Sequence, residues 1–380
     1  MEITIEERGV DLSVVIVSYN SVDLLMLTLA SVRRAIEGIS AEVFVVDNAS
    51  AEDVVGRVER EASWVQLMAL GSNVGFSAAN NKALREAKGD VVVVLNPDTV
   101  VPVDFFRRVI DHFKSEGEGA GAIGVRMVNG EGHYLRESKR GYTDLRTSFF
   151  KMTGLWRLAK KSAVVNAYYI GQHDEKDVCP APILSGACIA FRRDLMKKVG
   201  DFDESYFMYS EDIDLSWRMN EASRGNIYRG DLSIIHFKGQ STPRKRKYIG
   251  YFYKSMLKFA RKYEYPKHNW VVNMMTKCGI VIAYGFAMAR CLVLRHLEFA
   301  RSFKAPKRVL VVKGEEEWGM LEHTGSRAYE AIVFDIDSDL GRAIEYMRAH
   351  AEEAMYGFRN LDSGQMLVFY NNRCHDITRR

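Results

Sequence analysis

The sequence predicts an α/β protein built on a mainly parallel, doubly wound sheet flanked by helices. Continuous β-branched runs, SVVIVS at 13–18, EVFVVD at 42–47 and DVVVVL at 90–95, have the character of strands buried on both faces. Between them lie segments with apolar residues at helical spacing, so strands and helices alternate.

Taken in order, residues 13–18 are the first expected strand and 23–36 the first helix. Strand 42–47, helix 53–62, strand 65–70 and helix 78–87 follow. Strand 90–95 runs into Asn96-Pro97-Asp98. Residues 129–182 are polar and aromatic with weak periodicity, which suggests an irregular insert over the sheet. Order returns with strand 184–191, helix 213–221 after Glu211-Asp212, strand 227–236, and helix 248–262 with aromatics on one face. Beyond Pro306, strands 308–312, 331–335 and 366–370 and a helix over 340–355 form a small α/β appendage. The expected division is a catalytic domain over 11–243, a basic and apolar helical segment over 244–305, and a C-terminal domain over 306–380.

Bulk properties set outer limits. A chain of 380 residues that is 47% hydrophobic and 27% charged can bury a large core. A net charge of +4 is too small for a dedicated nucleic-acid binder. Five cysteines stand far apart with no CxxC pair, which disfavours zinc sites and disulfide frameworks. A reducing, cytoplasmic setting is expected. Residues 1–11 lack a basic segment followed by an apolar run, so no secretory signal is expected there. The stretch CGIVIAYGFAMARCLVL at 278–294 is at the lower edge of the roughly 20 apolar residues needed to span a bilayer. It reads either as a buried helix or as a membrane-surface helix. Arg244, Lys245, Arg246 and Lys247 before it, and Arg290, Arg295, Arg301 and Lys304 within or after it, suit the second reading.

In a doubly wound sheet, ligands bind at the carboxyl ends of the strands. Polar groups gather at those ends here: Ser18-Tyr19-Asn20, Asp47-Asn48-Ala49-Ser50 and Asn96-Pro97-Asp98. A single strand-end Asp is more often a turn former or helix cap, but three such ends converge.

Six ordered segments carry a resemblance. VVIVSYNS, VFVVDNAS, GSNVGFSAANNKAL, VVVVLNPDT, LSGACIAFRRDLMKKVGDFDESYFMYSEDIDLSWRM and IIHFKGQST together resemble family 2 glycosyltransferases, with the bacterial rhamnosyltransferase-like enzymes as the nearest branch. The resemblance covers residues 11 to 265 or so. It implies the GT-A fold and an inverting transfer from a nucleotide diphosphate sugar, dTDP-rhamnose or a UDP-sugar, to a glycan or lipid-linked acceptor. It also implies work at the cytoplasmic face of the membrane with peripheral membrane contact, and no nucleic-acid partner.

The chemistry needs two devices. The departing diphosphate requires a counter-charge, commonly Mg2+ or Mn2+ held by carboxylates. The family's Asp-x-Asp for this purpose is replaced here by Asn96-Pro97-Asp98, leaving Asp98 as the expected metal ligand, with His236 completing the shell. Asn96 retains hydrogen-bonding capacity toward ribose or phosphate. The second device is a base for the acceptor hydroxyl. The resemblance gives that role to Asp212, with Glu211 orienting it or touching the acceptor and Asp214 a weaker candidate. Ser18, Tyr19, Asn20 and Asp47 are expected around the nucleotide. Asn73, Gly75, Phe76 and Asn80 supply a turn and amides, with Gly75 allowing a close backbone approach. Ser185 and Gly186 are small and leave room for the sugar.

Asp335-Ile336-Asp337 looks more like a metal-binding pair than Asn96-Pro97-Asp98, but its simpler reading is a solvated strand end with a helix cap after it. Two other functions fit the sequence less well. A nucleotidyltransferase needs a basic, glycine-rich loop after the first strand, and Ser18-Tyr19-Asn20-Ser21 has neither glycine nor lysine. A non-catalytic nucleotide-sugar binder or scaffold is favoured only by the missing acid at Asn96.

Overall fold

The computed structural model describes residues 9–238, 246–297, 306–336, 339–350, 353–360, 363–370 and 373–378. The first half alternates as expected: β1 (Leu12–Ser18), α1 (Val22–Ala35), β2 (Ala41–Asp47), α2 (Val54–Glu61), β3 (Gln66–Ala69), α3 (Phe76–Glu86) and β4 (Val91–Leu95). Then come β5 (Thr99–Val100), α4 (Phe105–Glu116) and β6 (Ile123–Val128). The irregular insert contains β7 (Lys139–Arg140), α5 (Leu145–Thr153), β8 (Val178–Pro180) and several 3-10 turns. The expected strand over 184–191 is two, β9 (Ile183–Leu184) and β10 (Cys188–Arg192). After α6 (Arg193–Val199), α7 (Glu211–Ala222) begins at the acidic pair and β11 (Ile227–His236) returns to the sheet.

The main sheet runs β3-β2-β1-β4-β10-β6-β11-β5, with β8 also paired to β11. Its first four strands are parallel, as doubly wound topology demands. Beyond β4 the sheet is mixed, because β10 runs antiparallel to both β4 and β6. β1 and β4 are buried along their whole length, which explains their unbroken apolar runs. One core lies on each face of this sheet: α1 and α4 cover one side, α3, α6 and α7 the other.

α8 (Arg246–Phe259) continues as a π turn through Glu264, and α9 (Trp270–Leu297) follows. The buried-helix reading of 278–294 fails. Only 6% of the most apolar window of α9 is buried, and this is the one helix among the described residues long and apolar enough to cross a membrane. Arg244, Lys245, Arg301 and Lys304 lie outside the described residues.

The C-terminal part is a second sheet, β12-β13-β14-β15-β16, made of β12 (Val309–Val312), β13 (Ala331–Asp335), β14 (Met355–Arg359), β15 (Met366–Tyr370) and β16 (Arg373–Asp376), with helices α10 (Glu315–Thr324) and α11 (Leu340–Ala349). The helix expected over 340–355 stops at Ala349, and Met355 opens β14 instead. This sheet shares a core with Leu24 and Leu27 of α1 and with Phe237, whose ring stacks on Phe369 at 3.9 Å. Asp335 is buried against Arg359 at 2.6 Å rather than solvated, and Asp339 caps α11 as expected. Asp337 lies outside the described residues.

One junction holds the two faces of the site together. Gly75 precedes α3 with φ +89°, and a Cβ there would lie 2.5 Å from the carbonyl oxygen of Phe207. Phe76 N donates to that same oxygen at 2.8 Å. Gly75→Ala therefore combines a left-handed backbone with a clash against main chain. It should lower unfolding free energy by about 2 kcal/mol or more, as read by urea denaturation. A loss below about 0.5 kcal/mol would show that the junction yields easily.

Candidate active site

The ends of β1, β2 and β4 lie side by side because Ser18 pairs with Asp47 and Ile16 with Leu95. Asn20 takes φ 52° and clasps the loop after β2: its amide donates to Ser50 Oγ at 2.9 Å, and its Oδ1 accepts from Ala51 N at 2.7 Å. Asp47 Oδ1 accepts from Ser50 N at 3.2 Å. Asn48 Nδ2 donates to Asn73 Oδ1 at 3.2 Å and its Oδ1 accepts from Val74 N at 2.9 Å, which ties this loop to the turn before Gly75. The sequence thus brought Tyr19, Asn20, Asp47 and Asn73 to one rim. Ser18 and Asn80 do not share it: both are fully buried, Ser18 against Ser21 and Asn80 donating to the carbonyl of Phe76 at 2.9 Å. Phe76 packs edge-on against Phe202.

At the next strand end, β5 pairs with the tail of β11, with His236 opposite Thr99. That pairing sets His236 Nε2 3.3 Å from Asp98 Oδ1, and Asn96 Nδ2 lies 3.5 Å from the same ring nitrogen. Thr28 of α1 fixes the turn by donating to the carbonyls of Pro97 and Thr99, both at 2.8 Å. Asp98 and His236 are both buried, and His236 Nδ1 has no hydrogen-bond partner among the described residues. One carboxylate and one imidazole converge, and no group of three His, Cys, Asp or Glu side chains suited to a metal exists among the described residues. Two protein donors suit a hard divalent cation only if phosphate oxygens and water supply the rest, a mode Mg2+ commonly uses.

Asp212 is the second residue of α7, which follows two residues in left-handed backbone, Tyr209 at φ 70° and Ser210 at φ 65°. Such conformations are costly for a bulky residue and persist only where neighbours enforce them. The Asp212 carboxylate is heavily engaged. Oδ2 accepts from Arg140 Nη2 at 2.5 Å and from Gly186 N at 3.2 Å, and Oδ1 accepts from Ile213 N at 2.8 Å. Gly186 must be small here, since a Cβ would sit 3.0 Å from Asp212 Cβ. Ser185 shapes the same turn: its hydroxyl accepts from Ala187 N at 3.4 Å. Asn96 N donates to the carbonyl of Ala187 at 2.9 Å, so the turn that grips Asp212 also grips the β4 end.

Glu211 is buried beside Asp212, and its Oε2 has no hydrogen-bond partner among the described residues. Burial first, and then the adjacent Asp212 charge, push its pKa up to about 8. Asp214 takes no part in this cluster. It is fully buried and bound by Arg218 Nε at 2.9 Å, Tyr263 Oη at 2.7 Å and Lys262 Nζ at 2.6 Å.

Arg140 was not anticipated. It lies on β7 in the insert, is buried, and also donates to the carbonyl of Leu184 at 2.5 Å because β7 pairs with β9. Burial opposes its charge, but Asp212 and Tyr168 together outweigh that and raise its pKa. Behind it, burial pushes the Tyr168 phenol up, while Lys151 and Arg140 pull it below its ordinary value overall. Nothing in the local sequence separates Arg140 from neighbouring basic residues, since its role follows from a strand pair of two residues on each side.

Residues 13–200 match the family model described as glycosyl transferase family 2. The chain is 29% identical over 245 residues to the N-acetylglucosaminyl-diphospho-decaprenol L-rhamnosyltransferase of Mycobacterium tuberculosis, covering 61% of this chain and 78% of that protein. It is 28% identical over 229 residues to the low-salt glycan biosynthesis hexosyltransferase Agl10 of Haloferax volcanii, covering 59% and 66% respectively. Among solved structures, GalNAc-T7 with UDP, GalNAc and Mn2+ aligns with a TM-score of 0.46 and 16% identity, over 61% of this chain and 44% of that one. The family match spans the segments that set Asp47, Asp98 and Gly186 around one sheet edge, and on that ground this chain belongs to glycosyl transferase family 2 and is a glycosyltransferase.

Proposed function

We propose that this glycosyltransferase acts with inversion, moving a sugar from a nucleotide diphosphate donor to a hydroxyl of a lipid-linked or cell-surface glycan acceptor. Rhamnose carried on dTDP is the favoured donor, because the M. tuberculosis relative is named for that sugar. The catalytic unit is residues 11–243, working on the cytoplasmic side of the membrane.

The observation that carries this reading is the unequal treatment of two adjacent carboxyls. Burial and its neighbour's charge raise the pKa of Glu211 and favour its neutral form, while Asp212 is ion-paired to Arg140. Environments that split a carboxyl pair in this way mark acid and base roles. A carboxylate offers about four lone-pair positions, and three on Asp212 are taken. The fourth, on Oδ1, is left for an acceptor hydroxyl. Arg140 and the Gly186 amide fix the orientation of that oxygen, and Glu211 supplies a neutral donor next to it.

Asp98 and His236 are the residues that would hold Mg2+ or Mn2+, and the cation would supply counter-charge to the diphosphate as it departs. Asn96 adds a hydrogen bond and no charge. The nucleotide would lie along Tyr19, Asn20 and Asp47, at the rim nearest this pair.

Asp212→Asn keeps the shape of the carboxylate and removes its basicity. It should lower kcat for sugar transfer by about 10^2 to 10^4-fold, with nucleotide affinity within a few-fold of the native protein. Transfer at the native rate would end the assignment. The metal arrangement predicts a second result: Mn2+ titrated calorimetrically should bind weakly alone and markedly more tightly with nucleoside diphosphate present. Asp98→Ala should abolish the difference, and tight binding without nucleotide would contradict a two-donor site.

Glu211 gives a pH test. Its folded-state pKa is raised from 4.5 to about 8, so the native state binds a proton there that the unfolded chain has released. Its contribution to stability therefore falls as pH rises from about 4.5 to about 8 and levels off above that. In denaturant melts at pH 5, 7 and 9, Glu211→Gln should flatten this slope and be the more stable protein at pH 9. Parallel slopes for the two proteins would show that Glu211 titrates normally.

A further inference from the structure

The α8–α9 hairpin carries a surface that glycosyl transfer does not require. On α9, Trp270, Met274 and Val281 recur along one line, and Met275, Ile282 and Phe286 along its neighbour. All six are exposed, Trp270 by 74% and Phe286 by 73%. At 3.6 residues per turn the two lines form one broad apolar arc, with Lys277 and Arg290 at its opposite margins. The other side of the helix packs on α8, where Ile280 is buried and Tyr284 meets Tyr253 at 5.5 Å.

The charge around this arc is one-sided. From Arg246 to Leu297 the sequence carries ten Lys and Arg against a single acid, Glu264, which is itself buried beneath Lys267 and His268. Lys254, Arg261, Lys277 and Arg290 are exposed. A protein partner or a second copy of this chain would have to place matching acids around an apolar centre, and a second copy would bring the same ten cations. An anionic bilayer supplies both the apolar interior and the negative rim.

We infer that the exposed arc of α9 seats the protein on an anionic lipid surface, with the helix lying in the plane of the interface rather than crossing it. Length and composition would permit a span. The packing opposes one. α9 is held along α8, and α8 is fastened to the catalytic region: Ser255 Oγ lies 3.0 Å from Ser210 Oγ, Lys258 donates to the carbonyl of Ser205, and the Phe252 and Phe259 rings meet Tyr209 and Trp217. A spanning α9 would pull lysine-bearing α8 and the irregular 203–210 segment into hydrocarbon, where unpaired backbone is costly. An in-plane helix buries only the arc, about 5–10 Å deep, and leaves Lys277 and Arg290 at headgroup level. Trp270, at the start of the helix, has the amphipathic ring favoured at that depth.

This inference deepens the reading of a lipid-linked acceptor but is tested without it. The full chain is floated with vesicles of phosphatidylglycerol and phosphatidylethanolamine, or of phosphatidylcholine alone. Binding should be at least about tenfold stronger to the anionic vesicles, fall with salt, and reverse on an alkaline carbonate wash. The double variant Met275→Asp/Phe286→Asp should lose at least about tenfold in vesicle binding, with an unchanged melting curve and unchanged hydrolysis of nucleotide sugar. Asp212→Asn should bind vesicles as the native protein does, so failure of the transfer chemistry and failure of the lipid seat are read separately. Three results would overturn the inference: no preference for anionic vesicles, resistance to carbonate, or a double variant that binds vesicles normally while losing a native dimer in sedimentation.

Discussion

A guanidinium as fully buried as that of Arg140 must meet a negative charge, and it meets Asp212. That ion pair joins parts of the chain distant in sequence. Arg140 comes from the insert, Asp212 from the start of α7, and the Gly186 amide on the same carboxylate oxygen from the turn before β10. Through Ala187 and Asn96 the turn continues to the end of β4, where Asp98 and His236 meet. Removing Arg140 would leave a partly buried carboxylate uncompensated, while Tyr142 would still tie the insert to Trp217, Asn220 and Glu221 of α7. The insert over the sheet is therefore bound directly to the proposed base. Its irregular appearance in sequence reflects many short contacts rather than a lack of structure.

β1, β2 and β4 were legible because burial on both faces leaves a plain mark, an unbroken run rich in β-branched residues. The strand-end polar groups were legible for the same reason, since parallel topology forces neighbouring carboxyl ends together. Arg140 was not legible, because β7 and β9 contribute two residues each and no periodicity develops over two residues. β14 was missed for a related cause: Met355-Tyr356-Gly357-Phe358-Arg359 has a glycine at its centre and follows directly on an amphipathic helix. That glycine has a reason in three dimensions, since a Cβ there would lie 2.2 Å from the carbonyl oxygen of Leu367 on the paired strand. Ser18 and Asn80 are a different case. They sit within recognisable motifs, and Ser18 Oγ and Asn80 Nδ2 make internal hydrogen bonds.

The C-terminal sheet shows how a peripheral unit can bear on the site. Phe237 follows His236 directly, and its ring stacks on Phe369 and packs near Phe358. Asn360 Nδ2 donates to the carbonyl of Met26 in α1 at 3.2 Å, and Thr28 of the same helix fixes the turn that presents Asp98. Both residues of the candidate metal pair thus have a neighbour held by the second sheet. Asp335, the more conspicuous acid in sequence, is occupied with Arg359 in the interior of that sheet. Asp335 is the last residue of β13, whereas Asp98 lies in the turn after β4, and the ion pair with Arg359 directs Asp335 to folding rather than to a ligand.

The geometry of α8 bears on how firmly α7 is held. Tyr263 and Lys262, just past α8, both bind Asp214, and Asp214 lies one turn inside α7 from Glu211 and Asp212. The aromatic contacts from Phe252 to Tyr209 and from Phe259 to Trp217 repeat the connection along α7. A helix pair attached at so many points transmits position with little play, because packed side chains and buried ion pairs resist small displacements. With α9 on a lipid surface, α7 is held at a set height above that surface, and so is the open oxygen of Asp212. An acceptor whose sugar is tethered to a lipid arrives at a height fixed by its own diphosphate or phosphate link. The matching of those two heights would select among acceptors before any sugar contact is made, so the hairpin would act as a ruler whose zero is the membrane.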